Sequence, residues 1–172
     1  MKISMRIAAI AVALAPLSLA AQNPVATAFR ENAATMGKNL MAAADLMPAD
    51  KYGFKPTPAQ MSWGDIVVHL AQGNDFLCGT IGGMKAPQRT PVAAAAGKDA
   101  LVARLKETFA FCDKSLAALD DSKLSEKRPM FGGQQMSLAA IETLTTGDWA
   151  DHYSQAAIYL RLNGLLPPTA KK

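Results

Sequence analysis

Four long stretches of this chain place apolar residues three and four apart, and no stretch of comparable length alternates with a period of two. The first runs from Pro24 to Met47 with Phe29, Ala33, Met36, Leu40, Ala44 and Met47 on one stripe. Pro48 stops it, and KYGFKPTPAQM, with two prolines, reads as an extended connector. The second opens at Ser62, a capping residue followed three positions later by Asp65, and carries Ile66, His69, Leu70, Gly73, Leu77 and Ile81 up to Gly82-Gly83. The third, from Asp99 to Leu119, aligns Leu101, Leu105, Phe109, Cys112, Leu116 and Leu119. The fourth, from Ser137 to Asn163, ends at Gly164 and Pro167-Pro168. Four amphipathic helices in one unit predict an all-α four-helix bundle. Before the last helix, KRPMFGGQQM predicts a small hairpin turning at Gly132-Gly133, because paired glycines accept the positive φ of a tight turn.

The amino terminus bears on compartment. MKISMR supplies two positive charges, IAAIAVALAPLSLA is an apolar run, and Ser18-Leu19-Ala20 offers small residues for cleavage. A signal peptide over residues 1–20 is expected, with the domain over 21–172 and a periplasmic or secreted destination. A permanent membrane anchor fits less well, since the run is short of the roughly 20 residues that span a bilayer and contains Pro16. Cleavage removes Lys2 and Arg6, so the formal charge falls from +4 to 18 − 2 − 14 = +2. Nucleic acid is therefore not an expected partner: no Lys/Arg cluster interleaves with aromatics, and Lys171-Lys172 reads as a solvated tail.

Cys78 and Cys112 are the two cysteines. In an oxidising compartment a lone pair tends to be bridged, and two buried free thiols are the alternative. Neither a CxxC pair nor a zinc knuckle is present. The methionines, Met36, Met41 and Met47 among them, are read as core filler rather than copper ligands. Trp149 and Tyr153 fall on a stripe beside the inward one, suited to packing or a dimer contact.

The polar residues on inward stripes are the anomaly. Asp148 and His152, four apart and so on one helical face, lie among Ile141, Thr145, Gln155, Tyr159 and Leu162. His69 sits between Ile66 and Gly73, so both histidines of the chain are expected to point into the bundle. Burying an ionised carboxylate is costly unless it is paired or metal-bound. Two accounts follow: Asp148 and His152 hydrogen-bond each other while His69 is a satisfied core residue, or the three converge. Asp65, four residues before His69, is explained by its capping role.

The Phe-Arg-Glu start of helix one, MPADKYGFKPTPAQMSWGDIVVHLAQGNDFLC and the closing DHYSQAAIYLRLNGLLPP together resemble the DinB-like superfamily, from about residue 24 to 168. It shares only its name with a DNA polymerase. The resemblance implies a four-helix bundle holding a divalent ion on one histidine of helix two and two of helix four, and it often implies a homodimer. Carried over, these positions are His69, Asp148 and His152, so an aspartate stands where the family usually has a histidine. A carboxylate shifts the preference toward harder ions: zinc or nickel come first, with iron or manganese more acceptable than to three imidazoles. Two imidazoles and one carboxylate leave an open position, as in a catalytic site. The resemblance thus implies a metal-dependent hydrolase or thiol-dependent transferase acting on an unknown small molecule. The alternative is a non-catalytic bundle that binds a small molecule or partner and uses these residues as a polar core network.

Overall fold

The computed structural model describes residues 23–170, so the expected signal peptide and the Lys171-Lys172 tail lie outside the described residues. Four helices form: α1 (Pro24–Leu46), α2 (Trp63–Gly82), α3 (Lys98–Leu116) and α4 (Leu138–Leu162). Two three-residue strands, β1 (Lys127–Pro129) and β2 (Gln135–Ser137), pair antiparallel with Arg128 opposite Met136. The all-α four-helix bundle with a hairpin before its last helix is thus observed. Gly132 and Gly133 turn that hairpin at φ 65° and 76°, the left-handed region that favours glycine.

Local chemistry sets the helix ends. Pro24 stands in the first turn of α1, where its missing N–H costs nothing, and the next two amides donate to the Asp121 carboxylate at 3.0 and 2.8 Å. A residue 95 positions away in sequence therefore caps α1. For α2, Ser62 Oγ accepts from the Asp65 amide at 3.1 Å while Asp65 Oδ2 accepts from the Ser62 amide at 3.0 Å, the reciprocal pair expected. Hydrogen bonds donated to its carboxylate by the Ser62 hydroxyl and the Ser62 amide hold the Asp65 carboxyl below the usual carboxylate range. Ser137 caps α4. The α3 helix stops at Leu116, short of the expected Leu119.

α2 packs against α3, α1 against α3 and α4, and α4 closes on α2. The expected stripe of α3 is buried from Leu101 through Leu116, and on α1 Phe29, Ala33, Leu40 and Ala44 face inward with Met47 fully covered. Cys78 and Cys112 form a disulfide between α2 and α3 with their Cα atoms 5.0 Å apart. Both are buried within the core. Closing a loop across 34 residues removes unfolded-state entropy worth about 4 kcal/mol in the chain-entropy account.

The centre of the bundle is aromatic. Trp149 is fully buried on α4, between Phe29 at 6.1 Å and Phe109 at 6.0 Å centroid separation. Its indole N–H donates to Asn74 Oδ1 at 2.8 Å, and Asn74 Nδ2 donates to Thr108 Oγ1 at 3.2 Å. A polar network does cross the core, but it joins Asn74, Thr108 and Trp149. Trp149 is therefore core, and a dimer contact through it is ruled out by its burial. Among the described residues no helix is long and apolar enough to cross a membrane.

Candidate metal centre

The capping box starts α2 at a fixed phase, and His69 follows Asp65 by one turn. The buried arc of α2 runs through Ile66, Leu70, Asn74, Leu77 and Ile81. His69 stands at the edge of that arc, and its side chain is 51 % exposed. The expectation that both histidines point into the bundle is thus corrected for His69. On α4 the buried arc passes through Ile141, Thr145, Trp149, His152, Ala156 and Tyr159. Trp149 and Ala156 take its centre, Asp148 is displaced to the flank at 27 % exposure, and Leu162, expected inward, lies open to solvent. His152 alone of the three is buried.

The flank of α2 carrying His69 meets the flank of α4 carrying Asp148 and His152. Asp148 Oδ1 lies 3.4 Å from His152 Nε2 and 4.0 Å from His69 Nε2. The imidazole centroids are 4.8 Å apart, tilted by 66°. One ligand atom from each residue falls within 4.8 Å of the others, so two helices bring together the three residues singled out from the sequence. The chain folds them into a rim site between α2 and α4, with His152 on its buried side and His69 on its exposed side.

These separations discriminate between the two accounts of the polar residues. A hydrogen bond between imidazole and carboxylate requires about 2.7–3.2 Å, and neither pair reaches it. Donor atoms about 2.0–2.1 Å from a shared tetrahedral ion stand roughly 3.3 Å from one another. The Asp148–His152 edge at 3.4 Å has that length. The His69 edge is longer, and a half-exposed side chain closes such a gap by a small rotation. His152 Nδ1 is buried without a hydrogen-bond partner among the described residues, so its ring is held by packing. The donor set thus fits a divalent ion better than it fits a self-satisfied network.

Sequence reasoning missed two neighbours of this site. Gly73 lies one turn after His69 and faces the carboxylate: a Cβ there would sit 4.0 Å from Asp148 Oδ2, an ordinary contact. Asn74 fixes the register of α2 on α4 through Trp149, the residue next to Asp148. The signal for Asn74 was present: it falls in phase with Leu70, Leu77 and Ile81, an amide inside an apolar stripe.

Comparison with known proteins agrees with this architecture. No curated protein matches the chain. Among solved structures, a DinB-like protein from Bacillus cereus superposes with a TM-score of 0.71 at 12 % identity, covering 84 % of this chain and 97 % of that one. A DinB-like protein from Bacillus subtilis gives 0.65 at 18 % identity, covering 80 % and 92 %. A conserved protein from Enterococcus faecalis gives 0.63 at 16 % identity, covering 80 % and 96 %. At such identities the likeness shows the fold alone. The family model described as DinB superfamily matches residues 33–156, which include all three residues of the rim site. The chain belongs to the DinB superfamily.

Proposed function

We propose that this protein is an exported metal-dependent hydrolase whose ion is held by His69, Asp148 and His152. The observation that carries the reading is the spacing of three donor atoms too far apart to satisfy one another and close enough to share an ion. Zinc or nickel suits the two imidazoles, and the carboxylate makes iron or manganese acceptable. A bound divalent ion would supply a Lewis acid with at least one coordination position open to substrate.

The chain's own residues divide the remaining work. His152, fixed on the buried side, sets the position of the centre. Asp148 contributes one negative charge against a dication, leaving the site net positive and suited to a carbonyl or phosphoryl oxygen. His69, half exposed, stands on the solvent side, from which a small substrate would reach the ion. The thiol-transferase reading has weaker support, since export would separate the protein from cytosolic low-molecular-weight thiols. Export itself rests on the amino-terminal pattern. Mass spectrometry of the protein from the producing cells should show a chain beginning near Ala21, and a mature form retaining Met1 would contradict this.

The activity is tested with the purified, metal-loaded chain on a panel of small carboxylic, amide and phosphoric esters. Turnover of at least one class above background is expected, abolished by chelation and by His152→Ala. A fully metal-loaded protein that turns over none of them would reject the hydrolase and favour the binding role.

A further inference from the structure

On the flank of α4 away from His152, a groove of about 540 Å³ runs between α1 and α4. Its walls are apolar, with Val25, Ala28 and Phe29 from α1 and Ala139 from α4. Asn32 and Glu142 also line it, and Asn32 Oδ1 and Glu142 Oε2 are buried without a hydrogen-bond partner among the described residues. Glu142 is only 5 % exposed.

Among the described residues no side chain donates a hydrogen bond to Glu142 Oε2. The Arg30 guanidinium, whose charge favours the ionised form, is engaged by the Leu119 carbonyl and Thr27 Oγ1. Asp121, whose charge opposes it, is occupied in capping α1. Burial pushes the Glu142 carboxyl above its ordinary range, and Asp121 adds to that. An unpaired acid in an apolar wall is costly.

We propose that this groove binds a small organic cation, a primary amine on an alkyl or aryl body, with the Glu142 carboxylate as counter-ion and the Asn32 carbonyl as a second acceptor. An ammonium group carries three donors and no acceptor, the complement of two orphaned oxygens. The apolar walls match a hydrocarbon body, and the volume lies within the range of small-molecule sites. This site is separate from the rim site and does not depend on its metal.

A rival source of satisfaction sits on the other side of Glu142. A cleft of about 50 Å³, bordered by Ser115 and Arg128, is large enough for water. If water satisfies the acid there, the groove has no preference for cations.

The test uses the purified chain with hexylamine and benzylamine as probes, and hexan-1-ol and benzyl alcohol as neutral matches. Calorimetry should show the amines binding at least about ten-fold more tightly than the alcohols, since hydrogen bonds to a charged partner are the stronger ones. Amide resonances of Asn32 and Ala139 should move while that of His69 stays. Glu142→Gln should lower amine affinity by about ten-fold or more and leave the alcohols unchanged. Ala28→Leu, which fills the groove and keeps the acid, should remove amine binding even if the Glu142 variant fails to fold. Equal binding of amine and alcohol, undiminished amine binding in either folded variant, or no amine binding by the native chain because water satisfies the acid would each overturn the proposal.

Discussion

Trp149→Ala is expected to destabilise the protein by about 5 kcal/mol, enough to leave a domain of ordinary stability marginal or unfolded. Two effects add. Removing a fully buried indole from between Phe29 and Phe109 leaves a cavity, for which large-to-small core substitutions cost about 3–5 kcal/mol. It also strips Asn74 Oδ1 of the one donor it has among the described residues, and an orphaned buried acceptor costs about 1–3 kcal/mol more. Trp149→Phe separates them, because it keeps most of the ring contact and loses the N–H, and should cost about 1–3 kcal/mol. Urea unfolding of the three proteins measures this. A Trp149→Ala midpoint equal to the native one would show that Asn74, Thr108 and Trp149 do not knit the core as described.

The same tryptophan shows how far the sequence could be read. The four helices were legible because their apolar residues repeat at helical spacing and because proline, glycine and capping residues mark the ends, as at Ser62 and Asp65. The hairpin turn was legible at Gly132-Gly133 for the same local reason. Periodicity fixes which residues share a face, but not which part of a broad face lies deepest. The sequence pattern puts Asp148 and Leu162 on the inward stripe of α4, whereas Trp149 takes the deepest position and Asp148 and Gln155 lie on the flank. Leu162 then overhangs the end of the core and is 58 % exposed.

The convergence of the candidate site had a different origin. Spacing alone put Asp148 beside His152, and only the family resemblance brought His69 to them across two helices. The reading that these side chains satisfy one another was equally open on the sequence, and it required a distance between helices. Asp121 reaching α1 and Asn74 reaching Trp149 were illegible because their partners lie 95 and 75 positions away.

Metal binding carries the larger functional consequence. Loss of an outer group that merely orients a ligand commonly lowers metal affinity by about 10–100-fold, so loss of a direct ligand should exceed about 100-fold. His152→Ala removes the buried donor and should abolish binding. His69→Ala removes the exposed donor, and because this side chain is already half exposed its loss should not reduce folding stability. That pairing, large for metal and negligible for fold, is what a structural role for His69 would not give. Asp148→Asn keeps the shape and removes the charge, so affinity should fall while the preference shifts toward zinc.

The most direct measurement is the metal content of the tag-free native protein after incubation with zinc, nickel, iron or manganese and removal of excess, beside His69→Ala and His152→Ala. The account predicts near-stoichiometric retention of at least one ion by the native chain and loss of it in both variants, with unfolding of His69→Ala unchanged. A native protein that stays empty with all four ions, or a His69→Ala protein that holds metal as tightly as the native one, would contradict it.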